Sequence, residues 1–241
     1  GADTIAAMIV EPLMGAGGLI IPPKTYYDKI QPILCEHEIL LIDDEVVCAF
    51  GRTGNPFGCQ TFGMQPATMT MAKALSSAYQ PISAVAIPPF MYEEIERAAG
   101  EVGMFGHGLT YSGHPVAAAV ALRTLELYEE RGLMAHAAKM GEVMQAKLAA
   151  FADHPLVGNV RGVGLIAGLE FIADKAAGTR FDASEKIAFQ VQNACLEAGL
   201  VIRALPGDTC AICPPLIIDE AGIDELVTKL AEGLDRVQAS R

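Results

Sequence analysis

The sequence predicts an α/β fold, a mostly parallel sheet with helices on both faces, followed by a smaller α+β domain. Two patterns carry this. In the first third, short and nearly continuous apolar runs alternate with helical stretches, which is how a parallel sheet buried on both faces reads. From about residue 135 the order changes to helix, two strand-like stretches, helix, hairpin and helix, the grammar of an α+β unit. A third observation supplies the core: 51% of the 241 residues are hydrophobic, enough to bury a substantial interior. The expected division is residues 1–134 and 135–241.

Three of the early runs end in a charged residue. "TIAAMIV" ends at Glu11, "EILLI" runs into Asp43, Asp44 and Glu45, and "ATMTMA" ends at Lys73. "PPKTYYDKIQPILCEHE" is the helical crossover between the first two. Ligands of such sheets bind beyond the carboxyl ends of the strands, so an acid, an acid cluster and a lone lysine should converge on one edge. After "ISAVAIPPF", the Gly-rich stretch "GMFGHGLTYSGHP" leads to Pro115, suited to the first turn of a helix that runs to about Arg131 and closes at Gly132.

The second part opens on a helix with Met140, Met144, Leu148 and Phe151 at three- and four-residue steps, a core stripe. "SEKIAFQVQNACLEAG" reads as a helix capped by Ser184, with Ile187, Val191 and Cys195 inward and a stop at Gly199. "LVIRA" and "TCAICPP" flank "LPGD", whose Pro and Gly suit a tight turn. The last helix should bury Ile223, Leu226, Leu230, Leu234 and Val237. "RGVGLIAGLEF" satisfies G-x-G-x-x-G/A by spacing through Gly162, Gly164 and Ala167. That pattern must follow a strand and open a helix, whereas "VGLIAGLEFI" continues as a β-type run, which speaks against a nicotinamide site and a dehydrogenase.

Composition narrows the partners. A formal net charge of −12 without a basic run argues against nucleic acid, which needs clustered Lys and Arg. No apolar run reaches the roughly 18 residues of a membrane helix, and the start lacks a signal peptide's basic region. Most of the six cysteines sit in apolar segments, as expected of reduced thiols in a cytoplasmic protein. Cys210 and Cys213 have CxxC spacing but no second pair and no His cluster, so a structural role is expected and no metal.

Lys73 is the residue that composition leaves unexplained. From Thr53 through Tyr92 it is the only Asp, Glu, Lys or Arg, although such residues make up 19% of the chain. A lysine there either packs its stem and lifts its ammonium to water, or is a Schiff-base amine whose desolvation favours the neutral form that attacks an aldehyde. The second role requires that Lys73 be shielded from water and from anions. Pyridoxal phosphate would need three further groups. Asp44 after "LLID" could face the pyridine nitrogen. Thr110, Tyr111 and Ser112 with their glycines could receive the phosphate before the Pro115 helix. Arg203 could bind a substrate carboxylate. Each also has an ordinary reading as a solvated strand-end acid, a capped Gly-rich loop and an edge-strand arginine.

"EPLMGAGG", "DEVVCAFGRTG", "AKALSSAYQPISAV" and "HGLTYSGHP" resemble, in order and spacing, the block pattern of class III aminotransferases, the ω-aminotransferase branch of fold-type I pyridoxal-phosphate enzymes. The likeness continues through "VIRALPGD" and "CPPLIID" and so covers the chain. It implies that residues 1–134 are the second half of the cofactor-binding large domain, that 135–241 are the C-terminal small domain, and that the upstream half of the family pattern is missing. That would leave the sheet with an uncovered edge and the cofactor short of one wall. By position, Lys73 would form the Schiff base, Asp44 would pair with the pyridinium nitrogen and Val46 would pack on the ring. Thr110 would reach the phosphate across a homodimer interface, and Arg203 would bind the carboxylate of an amino or keto acid. Glu11 and Arg52 match blocks near the site, with a structural salt bridge or loop anchor as the expected role. The implied activity is transfer of an amino group from an ω-amino acid or amine to a keto acid such as pyruvate. Aminomutases, racemases and phospho-lyases share these blocks, and an inactive fragment is a further alternative.

Overall fold

The structure is a computed structural model that describes residues 1–241. The chain divides into two compact units, one formed by residues 1–12, 23–50 and 57–131, the other by 13–22, 51–56 and 132–241. The fold is mixed α/β, with a parallel-rich first sheet.

In the first unit, β1 (Ala7–Val10), β2 (Leu40–Asp44), β3 (Thr68–Met71) and β4 (Ala84–Ala86) form a sheet in that order. β1 to β3 run parallel, with Val10 opposite Asp43 and Asp44 opposite Thr70, and β4 returns antiparallel. The three charged strand ends therefore do lie along one edge. The crossover helix α1 (Tyr26–Glu36) contributes Tyr27 and Leu34, which pack with Ile39, Leu41, Met64 and Cys59 of the short helix α2 (Gly58–Phe62). Burial of that face repays ordering the crossover, at roughly 1.5–3 kcal/mol per fully buried large side chain.

Two outer-strand residues of this sheet stay exposed in the chain. Ile9 is 62% and Val85 64% exposed: each side chain lies on the face turned away from the α1 and α2 core, and no helix of the chain buries it there. Helix α3 (Pro89–Val102) occupies a segment in which the sequence reading assigned no element, although Pro89 at its first turn and left-handed Gly103 at its end are standard boundary signals. Helix α4 (Pro115–Glu130) starts at Pro115 as expected.

The second unit contains α5 (Leu133–Ala149), β5 (Val157–Val163), β6 (Ile166–Phe171), α6 (Ile187–Glu197), β7 (Arg203–Leu205), β8 (Thr209–Ile212) and α7 (Glu220–Ala239). Its antiparallel sheet has the order β5-β6-β8-β7. Met140, Met144, Leu148 and Phe151 join Val191, Cys195, Ile223, Leu226, Leu230, Leu234 and Val237 in one core. The β5–β6 hairpin carries the G-x-G-x-x-A string, so no helix opens there and a dinucleotide turn is not formed. The cap read at Ser184 is corrected: Asp182 accepts from Ser184 N–H on a short 3-10 turn, and α6 begins only at Ile187. Left-handed Lys186 separates the two.

Residues 51–56 pack into this second unit. Arg52 Nη1 donates to Leu165 O at 2.8 Å and Pro214 O at 2.6 Å, while Arg52 O accepts from Leu165 N–H at 3.0 Å. These bonds make Arg52 a loop anchor. Arg161 similarly grips Gly18 O and Leu19 O, each at 2.6 Å, from segment 13–22.

Candidate active site

The carboxyl edge of the first sheet holds Asp44, Val46 and Lys73. Asp44 ends β2 and is half-buried. Its Oδ1 accepts from Val46 N–H and from Thr70 Oγ1, both at 3.1 Å. The register that sets Asp44 opposite Thr70 thus also supplies the bond that aims the carboxylate. Because both bonds fall on Oδ1, Oδ2 can accept from another donor. Val46, half-buried, is tied to the same carboxylate.

Lys73 follows β3 on the neighbouring strand, where a 3-10 turn spans Lys73–Leu75. Its φ is +45°, and Ser77 and Ala78 are left-handed too, at +48° and +63°. Such backbone costs of order 1–3 kcal/mol per residue and persists only where surroundings over-determine it. Here the surroundings are explicit. Tyr128, buried near the end of α4, donates to Ala74 O at 2.6 Å, and its hydroxyl lies 2.7 Å from Ser77 Oγ. Ser76 Oγ donates to Gln80 O at 2.6 Å. Tyr128 and Thr70 position the lysine turn and the aspartate. Sequence reasoning missed both, since a helical tyrosine 55 positions after Lys73 carries no local sign of its target.

The shielding expected of Lys73 is not met within this chain. Its side chain is exposed, because the residue lies in the turn beyond β3 rather than in the buried strand. Desolvation by its own chain therefore does not carry the Schiff-base assignment.

The remaining candidates are placed as follows. Thr110 is exposed in the turn before α4, where Ser112 N–H donates to Leu109 O at 2.9 Å, and it has no bond to Lys73 or Asp44. Glu11 follows β1, and its carbonyl accepts from Tyr27 Oη at 2.9 Å. Arg203 opens β7 in the second unit and is exposed. Cys210 is buried with Sγ 3.3 Å from Ala188 O, while Cys213 is exposed.

An aldehyde-bearing cation with a pyridine ring fits the edge of the first unit in its donor set. An amine and a carboxylate stand on adjacent strand ends, and the carboxylate is fixed through one oxygen while the other can meet an N–H. The chain belongs to the class-III aminotransferase family, whose pattern matches residues 1–234. That family is pyridoxal-phosphate-dependent.

Among curated relatives, a diaminobutyrate–2-oxoglutarate transaminase of Halomonas elongata is 46% identical over 239 residues, covering 98% of this chain and 51% of the relative. A probable mitochondrial γ-aminobutyrate transaminase 3 of Oryza sativa subsp. indica is 44% identical over 234 residues, covering 97% and 46%. Among solved structures, the ω-transaminase of Pseudomonas jessenii in complex with PMP superposes with a TM-score of 0.96 at 47% identity, over all of this chain and 53% of that one. A transaminase with L-ala gives 0.95 at 51% identity, over 98% and 56%. The chain spans about half the length of the curated relatives it matches.

Proposed function

We propose that the protein is a pyridoxal-phosphate-dependent transaminase that moves an amino group from an ω-amino acid or amine to a keto acid such as pyruvate. The observation that carries this is the class-III family match together with Lys73 and Asp44 on adjacent parallel strand ends. When bound, pyridoxal phosphate supplies an aldehyde that condenses with amines and a ring that accepts the electrons released at the substrate carbon. In this reading Lys73 would supply the amine that holds the cofactor aldehyde, and its Nζ would be the group that takes and returns a proton. Asp44 would be the carboxylate that keeps the ring nitrogen protonated, and Val46 would line the ring site.

Arg203 would take the carboxylate of the amino or keto acid through its planar fork. Thr110 would donate to the cofactor phosphate across a homodimer interface. Its exposed turn and the exposed apolar residues around it, Phe105, Leu109 and Tyr111, support that assignment. A cytoplasmic setting belongs to the same reading and is supported by six cysteines outside any disulfide, four of them buried.

Borohydride reduction of the cofactor-loaded protein followed by peptide mapping tests the assignment: the label belongs on Lys73, and label on any other lysine refutes it. Product analysis with and without pyruvate separates transamination, which consumes the acceptor, from aminomutase, racemase or lyase chemistry. Sedimentation equilibrium tests the dimer, which a monomer at micromolar concentration would exclude.

A further inference from the structure

Strand alternation sends Asp44 to one face of β2 and its two neighbours to the other. Leu41, Asp43 and Glu45 share that other face, and all three are buried. Leu41 enters the apolar cluster of Tyr27, Leu34, Ile39, Cys59 and Met64, and the two carboxyl groups continue the same face at 0% exposure each. They are the only acidic residues of the chain that are fully buried.

Their hydrogen bonds do not balance. Glu45 Oε1 accepts from Cys59 N–H at 2.7 Å in the first turn of α2. Glu45 Oε2 and both carboxylate oxygens of Asp43 have no partner. The ligand atoms of Asp43, Glu45 and Cys59 nevertheless lie within 4.8 Å of one another. The other titratable groups that act on them are Asp44 on the same strand and Tyr27 on α1, and Tyr27 in turn lies near Tyr26, Cys48 and Glu11. No basic side chain is among these. The Tyr27 hydroxyl is committed to the carbonyls of Glu11 and Pro12. At 0% exposure and with no basic side chain beside them, ionising both carboxylates would cost the full desolvation of a second buried charge.

We propose that Asp43 and Glu45 hold one proton between them, with the Cys59 thiol as the second donor, and that this shared proton fastens the end of β2 to the start of α2. Two hydrogens then satisfy three orphaned oxygens. A carboxyl O–H bridges Asp43 to Glu45 Oε2, and the S–H turns to the remaining Asp43 oxygen. A divalent cation is the competing way to neutralise the pair, and it would require Cys59 as a thiolate. Burial and the two acids push that thiol up to about 12, so the neutral donor is the form the site favours. The pair lies either side of Asp44, and its proton thereby also steadies the backbone that presents Asp44.

The sign of the pH dependence follows from linkage. Burial, then Glu45, raise the Asp43 carboxyl from 3.8 to about 8, so the folded state binds more protons than the unfolded chain between those values. The stabilisation is complete below the unfolded value and is lost as pH rises towards the folded one. Relative to Asp43→Asn, the unfolding constant of the wild type should rise about tenfold per pH unit between roughly pH 5 and 7, one proton's worth.

Infrared spectroscopy of the whole chain tests this without a variant. The wild type should show a protonated-carboxyl C=O band at pH 7 that titrates away in alkaline solution. Asp43→Asn and Glu45→Gln should each abolish it, whereas Cys59→Ser, which keeps a donor, should retain it. Hydrogen exchange of the Cys59 amide should accelerate as the band disappears. Absence of the band from wild type at pH 7, its persistence in either amide variant, or one equivalent of tightly held zinc after incubation with zinc and desalting would each overturn the proposal.

Discussion

At the scale of single residues, the site is a contest between a backbone that disfavours Lys73's conformation and side chains that hold it. A left-handed lysine, serine and alanine within six positions would relax if their carbonyl and hydroxyl partners were removed. Tyr128→Phe deletes the donor to Ala74 O and the link to Ser77, and should cost about 1–3 kcal/mol in urea unfolding at two hydrogen bonds of ordinary net value. An unchanged midpoint would mean that the turn is held by packing alone. Asp44→Asn keeps the shape but discards the charge that a ring cation would meet. Titration with pyridoxal phosphate should show roughly tenfold weaker binding, the low end for a lost charge-assisted bond. The lone lysine was legible because its neighbours in sequence are uncharged. Its exposure was not, because burial depends on neighbours in space and on the turn that carries the residue out of the strand.

At the scale of elements, periodicity and punctuation recovered most of the structure. The apolar runs became parallel strands, and the Met140–Phe151 stripe became a core face. Two elements show where such reading stops. Helix α3 buries none of its residues within the chain, so no contact with a core marks it, and its Pro and Gly ends are its boundary signals. The G-x-G-x-x-A string was separable from a nucleotide turn only by the β character after it. Its central glycine has a different reason to be there: Gly164 sits at φ +55°, and an added Cβ would lie 2.5 Å from the Thr53 carbonyl carbon and 2.7 Å from Arg52 O. Gly164→Ala should therefore destabilise by about 2–4 kcal/mol through strain and overpacking. The loss should appear as a lowered denaturant midpoint with an unchanged slope.

At the scale of the whole molecule, two units of different construction share one chain. Segments 13–22 and 51–56 join the second unit, and no composition shift announces it, because their ties are guanidinium-to-carbonyl bonds between residues distant in sequence: Arg161 donates to Gly18 O and Leu19 O, and Arg52 donates to Leu165 O and Pro214 O. The second unit encloses its central strands: β8 is buried throughout, and every residue of β6 except Glu170 is buried. The first unit's sheet carries exposed Ile9 and Val85 on its outer strands. Local opening is cheapest where few apolar contacts resist it. Amide exchange on the isolated chain should accordingly show the longest protection in β6 and β8 and markedly faster exchange in β1 and β4, although all four are hydrogen-bonded. Adding pyridoxal phosphate should slow exchange at β2 and the Lys73 turn if Asp44 and Lys73 receive it, while leaving β6 and β8 unchanged. Equal protection in the two sheets would mean that the outer face of the first sheet is covered in solution, and a cofactor effect confined to the second unit would remove Asp44 and Lys73 from the site.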